Sequence, residues 1–142
     1  MEEEKFGLIF RRISHAAKKD TDNYLKQWEL TMSQAMILEY LNNSPDEELT
    51  QKAIEQHFNL QHPTVSGILK RLEKNGFIRT STNVADHRVK DIFMTDKALQ
   101  IDTRAKQHQT DVETLLVKDF TPAEIKTLRG LLNRVQHNIT GE

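Results

Sequence analysis

The hydrophobic residues of this chain recur mostly every three or four positions, which is the spacing of one face of an α-helix. The pattern predicts six helices: about 3–29, a second after Thr31, a third after Thr50, a fourth near Pro63, a fifth over about 96–118 and a sixth after Thr121. Hydrophobic and polar residues alternate around 77–81 and 89–94, which predicts two short strands joined by a polar loop. The chain is therefore predicted to be mainly α-helical with one small β-hairpin.

Helix starts are marked by capping residues. Thr31 and Gln34 fit a capping box, in which a hydroxyl and an amide each satisfy a free backbone donor at the helix start. The sequence Thr121-Pro122-Ala123-Glu124 carries the same signal, with proline at the first helical position. We therefore expect the second and sixth helices to begin at these points.

Residues 61–90 form the segment around which the rest of the chain is organised. Its helix is predicted to end at Asn75-Gly76, because both residues tolerate the left-handed conformation, and the hairpin follows at once. A short helix and a tight turn precede it, which is the order of a winged helix-turn-helix. The segment contains six basic and two acidic residues, whereas the whole chain has a net charge of -1. Since phosphate binding depends on where charge lies, we expect this segment to bind DNA.

Composition limits the other possibilities. A chain of 142 residues suits one domain, and the absence of cysteine excludes disulfides and thiolate metal sites. The acidic N-terminus and the lack of a long apolar run argue against a signal peptide or membrane span, so we expect a cytoplasmic protein. Glycine-rich phosphate loops and nucleophile motifs are missing, so no enzyme activity and no cofactor are predicted. His108 has Val112 four residues on, and no metal site is predicted.

The first and last helices each carry an apolar stripe outside the winged segment. The stripe residues are Phe6, Ile9, Phe10, Ile13, Ile125, Leu128, Leu132 and Val135. Both helices could complete the core of their own chain, or they could pack against the same elements of a second chain. We favour a homodimer, because it explains why a winged helix-turn-helix of about 65 residues is extended by a helix at each end. In the fifth helix, residues 105–110 are nearly all polar, so its middle is predicted to be exposed to solvent or to line a hydrated site.

Two segments resemble the MarR family of bacterial transcriptional regulators. They are HPTVSGILKRLEKNGFI at 62–78 and ADHRVKDIFMTDKA at 85–98. The most specific part is the D-x-R-x-K pattern at 86–90, followed by an apolar strand and Thr-Asp-Lys at 95–97. Two positions depart from the family pattern: Ala98 replaces a common glycine, and Gly67 stands where a polar or basic residue is frequent.

The resemblance covers essentially the whole chain and implies its organisation. It predicts a single MarR-like domain over 1–142, with a winged helix-turn-helix reading head at 31–95 and dimerisation helices at 1–29 and 96–142. A homodimeric repressor or activator is implied, whose half-sites lie about 34–36 Å apart on a pseudo-palindromic operator. A small aromatic or anionic effector is also implied, near His15, Trp28, Met32 and Met36.

The predicted DNA contacts lie on the fourth helix, at the start of the third helix and on the wing. They are Thr50, Gln51, Gln61, His62, Thr64, Ser66, Lys70, Arg71, Asp86, Arg88 and Lys90. A guanidinium at the wing tip can enter a minor groove, so Arg88 is the foremost candidate, with Asp86 positioning it. Two alternatives stay open: a constitutive DNA binder without an effector, and a winged-helix module that binds protein.

Overall fold

A computed structural model describes residues 3–44 and 49–142. Within them lie α1 (Phe6–Lys26), α2 (Met32–Asn43), α3 (Gln51–Phe58), α4 (His62–Lys74), β1 (Ile78–Thr82), β2 (Lys90–Met94), α5 (Asp96–Leu116) and α6 (Pro122–Thr140). The predicted fold class, mainly helical with a two-stranded wing between α4 and α5, is confirmed. The sequence Asn42-Asn43-Ser44-Pro45 predicts the end of α2, which lies at Asn43; Pro45 itself lies outside the described residues. Within the described ranges, no helix combines the length and apolar character needed to cross a membrane.

The predicted capping boxes are present. Gln34 N donates to Thr31 Oγ1 at 3.2 Å, and Thr31 N donates to Gln34 Oε1 at 3.0 Å. The reciprocal bonds between Thr121 and Glu124 measure 3.2 and 2.8 Å. Such signals lie within four residues of each other, so the sequence alone reveals them.

Two helices are shorter than predicted. The end of α1 at Lys26 is followed by a turn in which Leu30 N donates to Leu25 O at 3.2 Å and Glu29 has a φ of 57°. Similarly, α5 ends at Leu116, and Asp119 beyond it has a φ of 64°. Both left-handed residues lie in the turn that connects one helix to the next, where apolar periodicity carries no information about the backbone.

The chain forms two compact units, residues 1–108 and 109–142. In the first unit, a single apolar core joins α2, α3, α4 and the wing. Its fully buried side chains include Ile37, Leu38, Ile54, Val65, Leu72, Phe77, Ile78 and Ile92. Burying one such side chain contributes about 1.5–3 kcal/mol, so this core fixes the positions of the helix-turn-helix and the hairpin together.

The hairpin is antiparallel and is anchored along the free edge of β2 to the residues just before α3. Ile78 pairs with Met94, and Thr82 pairs with Lys90. A two-stranded sheet alone is marginally stable, but here Ile92 N donates to Leu49 O at 2.9 Å, and an isolated bridge pairs Thr50 with Asp91. The wing is thereby held beside the start of α3.

The end of α4 is fastened to the start of α5. The helix α4 ends at Lys74, where the Asn75-Gly76 sequence predicts its end; Gly76 takes the left-handed conformation with a φ of 80°, whereas Asn75 has a φ of -86°. Thr95 Oγ1 lies 2.6 Å from Gly76 O and accepts from Ala98 N at 3.3 Å. Lys97 Nζ donates to Asn75 O at 2.7 Å and lies 4.5 Å from the centre of the Phe77 ring. These contacts give the Thr-Asp-Lys segment a structural role.

The middle of α5 is less exposed than predicted. His108 stacks on Tyr24 of α1 with ring centres 3.8 Å apart and planes 7° from parallel, and its Nε2 lies 2.8 Å from Asp20 Oδ2. The His108 side chain is only 18% exposed. Gln107, Gln109 and Thr110 are exposed, as predicted. The prediction is wrong for His108, because a polar aromatic ring can be largely buried by stacking while its nitrogen keeps a partner.

Candidate nucleic-acid interface

The recognition helix α4 separates its buried and exposed residues cleanly. Val65, Leu69 and Leu72 face the core, whereas Thr64, Lys70 and Arg71 are exposed. The preceding turn begins at Asn59, whose φ of 51° ends α3 at Phe58, three residues before the N-cap Gln61 of α4. The exposed face therefore presents hydroxyl and basic groups on a helix that the core holds in place.

The wing loop is ordered by side-chain hydrogen bonds to its own backbone. Asn83 Oδ1 accepts from Ala85 N and Asp86 N, each at 2.9 Å, and Asn83 Nδ2 donates to Asp91 at 3.1 Å. Such bonds let asparagine stabilise a tight turn without backbone pairing. The loop consequently presents Arg88 from a defined backbone.

Asp86 contacts both the side chain and the backbone of Arg88. Arg88 Nε donates to Asp86 Oδ1 at 3.1 Å, and Arg88 N donates to the same oxygen at 3.0 Å. The Arg88 side chain is 91% exposed. Hydrogen bonds from the Arg88 side chain, and then from its backbone, lower the pKa of Asp86. The carboxylate therefore remains charged and orients an extended guanidinium that solvent, or a phosphate, can reach.

A concave cleft of about 700 Å³ lies between α3, α4 and the wing. Seven of the predicted DNA-contacting residues line it, namely Thr50, Gln51, His62, Ser66, Asp86, Arg88 and Lys90. The other lining residues are Lys52, Glu55 and Val89, which the sequence analysis did not single out. Gln51 and Glu55 are four residues apart on α3, and this spacing could have indicated that they share a face.

The remaining four predicted contacts lie outside the lining of this cleft. Gln61 and Thr64 are exposed at the start of α4, and Arg71 is exposed near its end. Lys70 lines a smaller depression between α4 and the wing, together with Glu73 and Thr80. Thr80 Oγ1 donates to Glu73 Oε1 at 2.9 Å, so Glu73 has a partner within the protein.

Three polar side chains form a connected group inside the cleft. His62 Nδ1 lies 2.5 Å from Glu55 Oε1, Gln51 Nε2 lies 3.1 Å from the same oxygen, and Gln51 Nε2 lies 3.0 Å from His62 Nδ1. The negative charge of Glu55 is thus bound by protein donors, as is that of Asp86. Lys52, Arg88 and Lys90 then give the cleft an excess of positive charge, which suits a polyanionic ligand.

Five comparisons with known proteins agree with this arrangement. The family model described as "MarR family" matches residues 28–89. The regulator YybA of Bacillus subtilis, described as an uncharacterized HTH-type transcriptional regulator, is 26% identical over 138 residues, covering 95% of this chain and 86% of YybA. MepR, a transcription regulator of the Staphylococcus aureus multidrug efflux pump MepA, gives a TM-score of 0.84 at 26% identity, covering 96% of this chain and 100% of MepR.

The chain is therefore similar to the MarR family of winged-helix transcriptional regulators. This similarity is to DNA-binding transcriptional regulators, which form a non-enzymatic family. MepR has also been solved with DNA, at a TM-score of 0.73, 27% identity and coverage of 96% and 99%. A MepR structure with ethidium bromide gives a TM-score of 0.73 at 26% identity, with coverage of 96% and 98%.

The four predicted effector-site residues differ in their exposure. Trp28 and Met32 are half-buried at the junction of α1 and α2, whereas His15 and Met36 are exposed. Trp28 packs edge-on against Tyr24 with ring centres 5.1 Å apart. His15 lies nine residues before Tyr24, which is about 13 Å along a helix. The aromatic group that the structure forms here consists of Tyr24, Trp28 and His108, of which only Trp28 is a predicted effector-site residue.

No group of three histidine, aspartate or glutamate side chains in the described parts of the chain could hold a metal ion. His108, the histidine nearest to a metal-binding pattern in sequence, instead binds Asp20 and stacks on Tyr24.

Proposed function

We propose that this regulator represses transcription by binding a pseudo-palindromic operator as a homodimer. Each α4 would enter a major groove, and each wing would reach the adjacent minor groove, with the two half-sites about one helical turn apart. The observation that carries this proposal is the cleft in which the start of α4, the start of α3 and the wing place seven predicted contacts side by side.

The individual roles follow from the chemistry of each group. Backbone N–H groups at the starts of α3 and α4, with the hydroxyls of Thr50 and Ser66, suit phosphate oxygens. Thr50 Oγ1 accepts from Ala53 N at 3.2 Å, which leaves its own hydrogen available for donation. Arg88, largely exposed and held by Asp86, suits a narrow minor groove where negative potential is concentrated.

Each terminal helix has an exposed apolar face, and these two faces support the proposal of a dimer. On α1, Phe6 is 77% exposed and Ile13 is 49% exposed. On α6, none of the 19 residues is buried, and Leu132 and Val135 are both more than 40% exposed. A helix owes most of its stability in a protein to packing of its apolar face. A second copy of the chain would supply that packing for both helices.

An effector is the third part of the proposal. The MepR structure with ethidium bromide supports a cationic aromatic ligand in a relative, and the Tyr24–Trp28 pair offers aromatic surface for stacking in this chain. An effector would release DNA only by its differential affinity for dimers whose reading heads fit, or do not fit, two successive grooves. If no ligand changes operator affinity, the chain is a constitutive DNA binder.

The experiment that tests DNA binding is a salt titration of wild type and Arg88→Ala on DNA from the chain's own promoter. If each Arg88 neutralises one phosphate, the slope of log affinity against log salt should shrink by about 0.9 per protomer. Lys19→Ala, an exposed substitution on α1 with the same charge change, should leave the slope unchanged. An unchanged slope for Arg88→Ala would favour a protein-interaction module in which the wing is dispensable.

A further inference from the structure

Glu55 on α3 and His62 at the start of α4 form a pair across the turn of the helix-turn-helix. The Glu55 side chain is 20% exposed, whereas that of His62 is 73% exposed. His62 Nδ1 lies 2.5 Å from Glu55 Oε1. Among the residues that the structure describes, none forms a hydrogen bond with His62 Nε2. The largely buried Glu55 carboxylate thus binds His62 Nδ1, and His62 Nε2 is available to a ligand.

The short distance decides where the hydrogen lies. A nitrogen lone pair and a carboxylate oxygen repel each other at 2.5 Å, so a hydrogen must lie between them, and an ionised carboxylate carries none. Nδ1–H is therefore the donor. The Gln51 amide, 3.1 Å from the same Glu55 oxygen, donates to that oxygen and not to Nδ1. In the neutral ring, Nε2 is then left as a hydrogen-bond acceptor.

We propose that Glu55 fixes His62 in the Nδ1–H tautomer, so that Nε2 reads an operator base as an acceptor. This inference rests on the proposed function, in which the start of α4 enters the major groove. There the exocyclic amino groups of cytosine and adenine are donors, whereas guanine O6 and N7 and thymine O4 are acceptors. The base opposite His62 is consequently cytosine or adenine. Glu55 itself touches no base and is a positioning residue.

Removing the carboxylate reverses the tautomer. In Glu55→Ala, the Gln51 amide, which lies 3.0 Å from His62 Nδ1, is free to donate to Nδ1. The ring hydrogen then moves to Nε2, and the preferred base changes to guanine or thymine. Glu55→Gln retains a carbonyl oxygen that accepts from Nδ1–H and should restore the wild-type preference. Glu39→Ala, which removes the same charge from an exposed position on α2, is the matched control.

The tautomer is measured first, in the free protein. Two-dimensional ¹⁵N–¹H spectra of the histidine rings at pH 8 should show a protonated Nδ1 and an unprotonated Nε2 for His62 in wild type, Glu55→Gln and Glu39→Ala. Glu55→Ala should show the reverse. A His62 ring in wild type that is protonated at Nε2, or at both nitrogens, would overturn the inference whether or not the protein binds DNA.

Base preference is measured second, on four operators that differ only at the base opposite His62. Wild type should prefer cytosine or adenine by about three- to tenfold, the effect of one hydrogen bond, and Glu55→Ala should invert that order. In a His62→Ala background, Glu55→Ala should have no further effect on preference. If wild type binds all four operators equally, the inference fails while the proposed function stands. If no operator is bound at low salt, both fail.

Discussion

Two glycines of the reading head should respond in opposite directions to the same substitution. Gly67 lies in the exposed middle of α4, and Gly76 lies just beyond the end of that helix with a φ of 80°. A Cβ at either position would meet no atom within 4 Å. The free energies of unfolding of Gly67→Ala and Gly76→Ala should therefore differ only because of the backbone conformation at each position, since neighbouring atoms contribute no clash at either.

The expected magnitudes follow from those two conformations. Alanine in an exposed helix interior is favoured over glycine by about 0.8–1 kcal/mol, so Gly67→Ala should raise the free energy of unfolding by about that amount. An alanine in the left-handed region costs about 1–2 kcal/mol, and the reduced entropy of its unfolded chain offsets about 0.4–1 kcal/mol. Gly76→Ala should therefore lower the free energy of unfolding by about 1 kcal/mol.

Urea unfolding at one fixed protein concentration provides the assay, since dissociation of a dimer makes the midpoint depend on concentration. With a slope of about 2 kcal/mol per molar urea, the two midpoints should lie about 1 M apart, with wild type between them. If both variants shift in the same direction, the reasoning from backbone conformation is wrong. Operator binding by Gly67→Ala, measured in parallel, shows whether this position tolerates a side chain near DNA.

Three further predictions concern the clamp after the wing, the dimer and the wing loop. Thr95→Val removes the cap of α5 and a hydrogen bond to Gly76 O, and should lower the free energy of unfolding by about 2 kcal/mol. The control Thr103→Val, within α5, should change it by less than about 0.5 kcal/mol. Equal losses of the two variants in urea unfolding would show that Thr95 does not hold the end of α4 to the start of α5. Leu132→Glu should be a monomer in sedimentation equilibrium and should bind the operator more weakly than wild type. An intact dimer would exclude Leu132 from the interface. Arg88 lowers the pKa of Asp86. The contact between Asp86 and Arg88 therefore stabilises the folded wing loop above the ordinary aspartate pKa of about 3.9, and this stabilisation is lost as pH falls through the lowered pKa. The pH titration of the Asp86 carboxyl, followed by NMR, should therefore have its midpoint below the ordinary aspartate value, and a midpoint at or above that value would contradict this account.

The parts of the fold that the sequence predicted well depend on local signals. The capping boxes at Thr31 and Thr121 each involve residues three apart, and the amphipathic pattern of α4 separates Leu69 from Lys70 within one turn. Element boundaries were less accurate, because Glu29 and Asp119 take the left-handed conformation without being glycine. Nothing in the composition of those turns requires that conformation.

The parts that could not be predicted depend on contacts between distant residues. His108 and Tyr24 are 84 residues apart, and only the packing of α5 on α1 brings their rings together. Glu55 and His62 are seven residues apart, but a turn separates their helices, so helical periodicity does not place them on a common face. The sequence could identify His62 as an exposed polar residue of α4, and only the structure shows which of its nitrogens is bound.

The most direct test of the central claim is hydroxyl-radical footprinting of the operator with wild type and Arg88→Ala. Wild type should protect the backbone at two symmetric regions about 34–36 Å apart along the duplex, each flanked by a protected stretch of minor groove. Arg88→Ala should lose the flanking protection at both ends while the central regions stay protected at saturating protein. A single asymmetric footprint would contradict binding of two major grooves by the α4 helices of a dimer. Flanking protection that persists in Arg88→Ala would contradict binding of the minor groove by the wing.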